Sequence, residues 1–458
     1  MWRPRLDPSA GPKYKAIVQA ITSDIENGTL RPGQQLPTHR ELSRMLGTSI
    51  ATITKAITEA ERQQLVYGQV GRGTFVRSLG QKKAKTGDLP PQVDQSLVDF
   101  SLLVSPPLAD FASARALSTG IKQVGSNLNL VDMMGYQNHE GLSRHRKAAV
   151  KWLAMSGLET EPSDLLLTAS AQHAFQMVLS VLCKPGDVVL TAELTHPGIR
   201  DLAHLLHLKL HGLAMDEEGI LPEAFEEAAR AGLSNVLYVM PSLQNPTVST
   251  MSVNRRLDIA AIAKRFNIRI IEDGVHNLLM KKRLHPMNVY APERTFYVTS
   301  FSKTLTPRLR VGILRAPSEY HKDLRQAIRA TMWMTSPLLG EMMTLWIGDG
   351  TAQTMLRNRQ DESLLRLNIA KNTLRNIPFR AQNGGFHIWI PLPNGIDENA
   401  FVNRLKSSGV AVNAGGVFKT PNASTGYPAI RVCLSGPKSA ADVQDGLVIL
   451  RNHLKAIA

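Results

Sequence analysis

Residues 38–61, THRELSRMLGTSIATITKAITEAE, carry the pattern that decides the fold of the first part of the chain. Thr38 and Glu41 form a T-x-x-E capping box, which predicts the start of a short helix. Gly47 predicts the end of that helix, because glycine readily adopts the left-handed conformation that follows many helices. A second helical pattern begins directly afterwards. Two short helices separated by a glycine-containing turn are typical of a helix-turn-helix.

The second helix of this pair has an apolar and a polar side. Thr48 or Ser49 can cap its start. Its apolar side carries Ile50, Ile53, Ile57 and Ala60. Its polar side presents Ser49, Thr52 and Lys55, with Thr54 near the edge. Short hydroxyl side chains and a cation suit phosphates and base edges, so this side is a candidate DNA-contacting surface.

Regular patterns flank the helix pair on both sides. Residues 13–27, KYKAIVQAITSDIEN, predict an earlier helix that Gly28 ends. Its apolar face consists of Tyr14, Ile17, Val18, Ile21 and Ile25. Residues 65–78, LVYGQVGRGTFVRS, alternate around a Gly-Arg-Gly tip and predict a β-hairpin. Arg72 at that tip can enter a minor groove or bind a phosphate.

Together these elements resemble the winged helix-turn-helix of the GntR superfamily. The resemblance rests on IENGTLRPGQQLPTHRELSRMLGTSIATITKAITEAE (25–61) and GQVGRGTFV (68–76), and it covers nearly all of residues 11–77. It implies double-stranded DNA as a partner. The contacts that it implies are Thr38 and Arg40 near the DNA backbone, Ser49, Thr52 and Lys55 in the major groove, and Arg72 on the wing.

Length and composition fit a soluble protein with more than one domain. The chain has 458 residues, 43% of them hydrophobic and 20% charged, and a formal net charge of +15. This length favours two or three domains, and the positive charge suits a nucleic acid. The sequence lacks an apolar run long enough for a membrane span and an N-terminal signal peptide, so we expect a cytoplasmic protein without a membrane partner. Its two cysteines are too few for a disulfide framework.

Residues 79–97, LGQKKAKTGDLPPQVDQSL, have the composition of a linker. They are polar, lysine-rich and proline-containing, and they show no hydrophobic period. We therefore predict a DNA-binding domain at residues 1–78, a linker at 79–97 and a larger domain at 98–458.

Strand-like runs alternate with helical stretches in the larger domain. The strand-like runs are DLLLTAS (164–170), DVVLTA (187–192), SNVLYVM (234–240), IRIIED (268–273) and RTFYVTS (294–300). Helical patterns such as HAFQMVLSVLCK (173–184) and VNRRLDIAAIAKRF (253–266) lie between them. This alternation predicts a parallel α/β sheet with ligand groups at the carboxyl ends of its strands.

Polar residues follow these strands in a distinctive order. Ser170, Ala171 and Gln172 precede a helix, so their amides and hydroxyl can hold a phosphate at the helix N-terminus. The positions that come after them, each beyond a strand, are Asn245, Asp273, Lys303 and Arg310. The chain thus presents a phosphate anchor, an asparagine, an aspartate, a lysine and an arginine in succession.

This order resembles the site of fold-type I aminotransferases, which bind pyridoxal 5′-phosphate (PLP). Behind a GntR-type head, such a domain makes the chain similar to the MocR-type regulators. The resemblance implies that Lys303 forms an internal aldimine, Asp273 pairs with the pyridine nitrogen and Asn245 hydrogen-bonds the ring 3-oxygen. It implies phosphate contacts from Ser170, Ala171, Gln172, Ser300, Ser302 and Arg310. Arg431, in YPAIRVCLSG, matches the arginine that binds an amino-acid carboxylate, although a surface arginine on a strand is the alternative.

Four positions depart from the aminotransferase pattern. The aromatic residue that usually stacks on the PLP ring falls at His196, and the tyrosine near the ring oxygen falls at His276. Arg308 replaces a glycine, and Val248 stands where another glycine is usual, which restricts the backbone. Because the ionic anchors are kept while these positions differ, we expect PLP binding with at most weak transaminase activity.

Three functions remain open from the sequence. The first is a homodimeric transcriptional regulator that responds to PLP or to a PLP adduct of an amine or amino acid. The second is an active aminotransferase with a DNA-localising head. The third is a regulator whose large domain only dimerises and no longer binds PLP. A two-fold dimer would recognise paired half-sites in DNA.

One histidine cluster deserves comparison with a metal site. His204, His207 and His211 lie in AHLLHLKLHG at a spacing of i, i+3 and i+7. The surrounding leucines favour an amphipathic helix packed on the sheet instead. We therefore predict that the protein has no metal site.

Overall fold

The computed structural model divides the chain into two compact units, at residues 1–93 and 94–458. It describes residues 2–4, 6, 11–26, 29–31, 33–63, 65–69, 73–76, 97–105, 111–127, 135–423 and 428–457. All of the predicted linker except its last residue lies outside these ranges. The linker and the domain boundaries derived from it therefore stay predictions.

The first unit has the predicted helix-turn-helix followed by a hairpin. Its regular elements are α1 (Lys13–Glu26), α2 (His39–Leu46), α3 (Ile50–Arg62), β1 (Val66–Gln69) and β2 (Gly73–Val76). Thr38 and Glu41 form the expected capping box at the start of α2. Gly47 ends α2 in the left-handed region with φ of 54°, and Ser49 caps α3. Strands β1 and β2 pair antiparallel, which confirms the hairpin.

The core of this unit forms between α1 and α3. Ile17 and Ile21 of α1 are buried, as are Ile53 and Ile57 of α3. The assignment of Ile50 to the apolar side of α3 is wrong, because its side chain is 49% exposed. Ile50 is the first residue of the helix and lines an open surface hollow together with Tyr14 of α1.

The second unit is built around a seven-stranded mixed sheet. The strands of this unit are β3 (Val98–Asp99), β4 (Leu165–Thr168), β5 (Val188–Ala192), β6 (Lys209–Leu213), β7 (Val236–Val239), β8 (Arg269–Asp273), β9 (Thr295–Ser300), β10 (Gly312–Arg315), β11 (Ile388–Pro391), β12 (Val410–Ala411), β13 (Asn413–Ala414) and β14 (Ala429–Val432). The large sheet has the order β4-β10-β9-β8-β7-β5-β6. All five predicted strands lie in it.

The large sheet contains one strand, β10, that the sequence did not predict and that departs from the predicted parallel arrangement. Strand β10 runs antiparallel to both β4 and β9, whereas the pairs within β9-β8-β7-β5-β6 are parallel. The connection from β9 to β10 spans residues 301–311, which is too short for the crossover that a parallel neighbour requires. The chain therefore reverses directly after the lysine segment.

Helices cover both faces of this sheet. The helices of the second unit are α4 (Phe111–Asn127), α5 (Ser143–Ala154), α6 (Ala171–Leu182), α7 (Pro197–Leu205), α8 (Pro222–Arg230), α9 (Val253–Arg265), α10 (Met287–Tyr290), α11 (Phe301–Thr304), α12 (His321–Met332), α13 (Pro337–Gly348), α14 (Thr351–Thr373), α15 (Glu398–Ser407) and α16 (Ala440–Lys455). On one face Ile271 of β8 belongs to the same core cluster as Phe175 and Val178 of α6. On the other face Ile270 belongs to the cluster that contains Ile259 of α9. Burial on both faces explains why these strands are continuous apolar runs in the sequence.

A smaller sheet near the C-terminus positions one of the candidate residues. Its order is β11-β14-β13, with both pairs antiparallel. Ile388 of β11 and Val432 of β14 share a core cluster with Leu367 of α14 and Leu447 of α16. Arg431 lies between these packed residues on β14, so its backbone position is fixed.

The histidine cluster does not lie on one helix, and that part of the prediction is wrong. His204 is in α7, His207 has φ of 55° in the turn that follows, and His211 is in β6. The chain leaves the helix at this point because β6 extends the sheet beside β5. Within the described ranges no three His, Cys, Asp or Glu side chains are arranged to hold a metal ion.

Candidate functional site

Asp273 ends β8 at the carboxyl edge of the large sheet, and its side chain is buried. Tyr238 Oη donates a hydrogen bond to Asp273 Oδ2 at 2.7 Å, and the Val275 N–H donates to Oδ1 at 3.2 Å. Burial raises the pKa of Asp273 to about 6, while the two hydrogen bonds and nearby Lys303 oppose this shift. The carboxyl group is thus held in one orientation, and a cationic ligand group beside it would stabilise its charged form.

Lys303 lies in the short helix α11, directly after β9. Its Nζ donates to the carbonyl oxygen of Leu103. Burial lowers the pKa of Lys303 to about 8; nearby Cys433 and Asp273 raise it, and Arg431 lowers it. An amine with a lowered pKa has a larger neutral, nucleophilic fraction near pH 7. Lys303 is therefore suited to react with an aldehyde.

Asn245 and Arg431 meet in a direct side-chain contact. Arg431 Nη1 donates to Asn245 Oδ1 at 2.8 Å, and Nη2 donates to the Ser101 carbonyl oxygen at 2.8 Å. The guanidinium also lies over the Phe418 ring, with Cζ 4.6 Å from the centroid. Because a guanidinium only donates, the amide oxygen of Asn245 must face it. The Nδ2 group of Asn245 is then the donor that a ligand oxygen can use. Arg431 is buried, so the alternative of a surface arginine is wrong.

The candidate phosphate anchor lies where β4 leads into α6. Ser170 caps the helix, since its Oγ accepts from the His173 N–H at 3.1 Å. Ala171 is the first helical residue, and Gln172 Nε2 donates to the Gly198 carbonyl oxygen at 2.6 Å. A helix start with its first amides directed outward favours a bound anion.

Gly312 brings this anchor next to the lysine segment. It pairs with Thr168 of β4 on one side and with Ser300 of β9 on the other. A Cβ atom at residue 312 would lie 2.5 Å from the carbonyl carbon of Ser170, so only glycine fits. Ser300 is buried and Ser302 half-buried at the same strand ends. Arg310, with φ of 47°, is exposed two residues before Gly312.

His196 has a structural task at the start of α7. Its Nδ1 accepts from the Gly198 N–H at 3.0 Å, so the proton of the neutral ring is on Nε2. Burial lowers the pKa of His196 to about 4, and nearby Lys303 and Arg431 add to the effect. The ring is therefore neutral near pH 7 and lies close to both cations.

His276 and His387 form a buried pair near Lys303 and Arg431. His276 Nδ1 is 3.0 Å from the Leu243 carbonyl oxygen, and His387 Nε2 is 3.3 Å from the Gln244 carbonyl oxygen. A carbonyl only accepts, so these ring nitrogens carry the protons. His276 Nε2 and His387 Nδ1 have no hydrogen-bond partner within the described chain. Burial lowers the pKa of His276 to about 3 and that of His387 well below its usual value.

Sequence reasoning missed two members of this site. Tyr238 lies inside the run SNVLYVM, where a tyrosine is indistinguishable from an ordinary core aromatic. His387 interrupts the apolar run FHIWI just before β11, and a polar residue inside an otherwise apolar run was the available signal. The structure brings both to the strand ends where Asp273 and His276 lie.

The residues of this site fit PLP. The buried Asp273 suits a protonated ring nitrogen, and Lys303 suits an aldehyde. Three buried polar atoms of the site have no hydrogen-bond partner among the described residues, so a ligand can use them. They are Nε of Arg431, Nε2 of His276 and Nδ1 of His387.

The candidate DNA contacts differ in how much they are already engaged. The Thr38 hydroxyl donates to Glu41 Oε2 at 2.8 Å, and the oxygens of Ser49 and Thr52 are 2.9 Å apart. Lys55 Nζ is 4.4 Å from the centroid of the Tyr14 ring, and this arrangement is a cation–π contact. Arg40 is exposed, and Arg72 lies outside the described ranges.

Two other expectations concern the chain as a whole. Both Cys183 and Cys433 are free thiols, the first half-buried and the second buried. None of the helices in the described part of the chain combines the length and hydrophobicity that a membrane span requires.

Two families of known proteins match this chain. Residues 113–444 match aminotransferase class I and II, and residues 13–76 match the gntR family of bacterial regulatory proteins. The HTH-type transcriptional regulator YdeF of Bacillus subtilis, which is uncharacterized, is 29% identical over 99% of this chain and 96% of its own. The HTH-type pyridoxine biosynthesis transcriptional regulator PdxR of Corynebacterium glutamicum is 24% identical over 87% of each chain.

A solved structure supports the same fold for the second unit. An archaeal alanine:glyoxylate aminotransferase superposes with a TM-score of 0.72 at 23% identity, covering 79% of this chain and 91% of its own. The second unit therefore has the fold of a fold-type I aminotransferase domain. The chain belongs to the class I and II aminotransferase family and carries a gntR-family helix-turn-helix in front of that domain, the combination of the MocR-type transcriptional regulators.

Proposed function

We propose that this protein regulates transcription by binding double-stranded DNA through its head and PLP through its large domain, with Lys303 as the attachment residue. In this proposal DNA binding responds to PLP or to a PLP adduct of an amine or amino acid. The observation that carries the proposal is the juxtaposition of Lys303, whose pKa burial lowers to about 8, with Asp273, which Tyr238 orients at 2.7 Å. The name of the Corynebacterium relative, a pyridoxine biosynthesis regulator, supports the same ligand class.

The chain's own residues divide the binding task. Asp273 would pair with the protonated ring nitrogen, Asn245 Nδ2 would donate to the ring 3-oxygen, and Lys303 would supply the amine. The residues that would surround the phosphate are Ser170, Ala171, Gln172, Ser300, Ser302 and Arg310. Arg431 would bind the carboxylate of an amino-acid effector. PLP, when bound, supplies a reactive aldehyde and an electron-withdrawing ring.

The histidines support a sensor more than an efficient transaminase. His276 takes the place of a tyrosine, yet its Nδ1 proton is committed to the Leu243 carbonyl at 3.0 Å. Its bare Nε2 can accept a hydrogen bond but cannot donate one to a ring oxygen. His196 is fixed by its cap on Gly198, and its ring would be the surface against which the cofactor lies. We therefore expect tight binding with at most weak turnover.

The proposal includes a cytoplasmic homodimer. Fold-type I domains usually dimerise, and a two-fold dimer would present two heads to paired half-sites. The proposed boundaries are residues 1–78 for the head, 79–97 for the linker and 98–458 for the effector domain. A ligand shifts DNA binding only to the extent that it favours one arrangement of the dimer over another.

The test combines an absorbance spectrum and a DNA-binding curve on the same full-length samples. The variants are Lys303→Ala and the matched control Lys322→Ala, whose lysine is exposed on α12. We expect the visible band of bound PLP in the native protein and the control, and not in Lys303→Ala. The affinity for duplexes enriched from a random pool should then change with PLP in the native protein and in the control, and not in Lys303→Ala.

Two outcomes would contradict the proposal. If PLP produces no band in the native protein, the large domain is a dimerisation domain without this ligand. If the band appears but DNA affinity does not change with PLP or an added amino acid, PLP is bound without a regulatory effect. Rapid turnover of an amino donor and an oxoacid would favour the active aminotransferase instead, for which the retained Lys303 and Asp273 are the supporting observation.

A further inference from the structure

The outer face of α3 is made of methyl groups near its start. Ile50 is 49% exposed, and the side chains of Ala51 and Thr54 are exposed beside it. Together with Tyr14, Lys55, Thr58 and Glu59 they line a hollow of about 670 Å³. An exposed isoleucine at the first position of a recognition helix leaves apolar surface in water, which costs free energy unless a partner covers it.

The hydrogen-bonding groups on this helix are largely engaged within the head. Ser49 Oγ accepts from the Thr52 N–H at 3.2 Å, and the two hydroxyl oxygens are 2.9 Å apart. Thr54 Oγ1 is 3.3 Å from His39 Nδ1. Lys55 Nζ lies over the Tyr14 ring. The hydroxyl pair of Ser49 and Thr52 uses one of its two protons internally, whereas Ile50 makes its contact with no hydrogen bond to rearrange.

We propose that Ile50 recognises thymine in the major groove through the 5-methyl group, with Ala51 and the methyl of Thr54 completing the apolar contact. This inference rests on the proposed DNA binding by the head. In a helix-turn-helix, the N-terminal residues of the second helix contact the base edges, and Ile50 is the first residue of α3. Thymine is the base that offers a methyl group there. Ile50 therefore selects for thymine at one position of each half-site.

The experiment replaces single thymines by uracil, which removes only the methyl group. Duplexes enriched from a random pool by the full-length protein are the probes, and each thymine is changed in turn. We expect at least one position per half-site at which uracil weakens binding by about fourfold, the value of one buried methyl group. In Ile50→Ala the two bases should bind equally at that position. Ile50→Val, which keeps two methyl groups, should retain a thymine preference.

Ile121→Ala is the matched control, because Ile121 on α4 is 56% exposed and lies in the other unit. It should keep the full preference for thymine. If uracil is tolerated at every thymine by the native protein, or if Ile50→Ala keeps the native ratio of the two affinities, the inference is wrong. If the pool yields no enriched duplex at all, the proposed DNA binding itself has failed. The uracil series on the native protein does not depend on the folding of any variant.

Discussion

The hydrogen bond from Tyr238 to Asp273 offers the sharpest test of the cofactor site. Tyr238→Phe removes one hydroxyl from a buried position and leaves the ring packed in the core. Asp273 Oδ2 then loses a donor at 2.7 Å, and within the described residues the carboxylate keeps the Val275 N–H on Oδ1 as its donor. Because the lost bond stabilises the ionised carboxylate, the pKa of Asp273 should rise further above its ordinary range.

The size of the effect follows from two quantities. A hydrogen bond to a charged group contributes about 1.5 to 3 kcal/mol, and about 1.4 kcal/mol corresponds to one pH unit. The pKa of Asp273, raised by burial to about 6, should therefore move up by about one to two pH units. At pH 7 the ionised fraction would fall from roughly nine tenths to between a half and a tenth, which predicts a two- to tenfold loss of PLP affinity.

The assay is a titration of PLP at pH 6, 7, 8 and 9, followed by absorbance. An acid with a raised pKa is charged only above that pKa, so the deficit of the variant should be clear at pH 7 and nearly gone at pH 9. Tyr320→Phe is the control, because its hydroxyl accepts from Arg269 Nε at 2.7 Å and does not bond to Asp273. An equal loss at every pH, or no loss at pH 7, would refute the assigned role of the Tyr238 hydroxyl.

Three further outcomes follow from the structure. The rate at which PLP attaches to Lys303, measured by rapid-mixing absorbance, should rise about fivefold from pH 7 to pH 8. The reason is that burial lowers the pKa of the amine to about 8 and only the neutral amine reacts. A rate that does not change between pH 6 and pH 9 would contradict this prediction. Gly312→Ala should lower the free energy of unfolding of the large domain by about 1 to 3 kcal/mol, because a Cβ at this position would lie 2.5 Å from the Ser170 carbonyl carbon. Thermal or urea unfolding measures the change, and an unchanged midpoint would show that β4 and β10 can separate without cost. Thr38→Ala should lower the free energy of unfolding of the head by about 1 kcal/mol, because the capping box of α2 is lost, and should leave the PLP absorbance unchanged. Thr58→Ala, at an exposed position of α3, is the control and should have little effect.

Local patterns were sufficient for the elements that depend on nearby residues. The capping box at Thr38, the left-handed Gly47 and the strand before Asp273 could be predicted because caps and buried strands leave short, periodic traces in a sequence. Ile50 could not be placed, because its exposure depends on where α1 ends its contact with α3. The prediction that His211 lies in a helix failed for a similar reason. Its neighbours in the sequence fit a helical period, but pairing with β5 makes the segment a strand.

The candidate site shows the same division. The order of Asn245, Asp273 and Lys303 marks strand ends that adjoin in a sheet, so their proximity was expected. Tyr238 and His387 also contact the site, but no pattern in the sequence indicates that they do. His387 is 143 residues from its hydrogen-bond partner Gln244. Residue spacing carries no information about such a contact, and only the three-dimensional structure reveals it.

The contact between Arg431 and Asn245 has a consequence for how two ligands would affect each other. An arriving carboxylate would compete with Asn245 Oδ1 for Nη1 of Arg431, which now lies 2.8 Å from that oxygen. Displacement would free the amide to rotate and would weaken its hold on a ring oxygen. Thermodynamic linkage then requires that the cofactor weaken the binding of the carboxylate by the same factor. One shared nitrogen atom would thus make the two affinities reciprocal, and an amino acid could loosen the cofactor simply by binding.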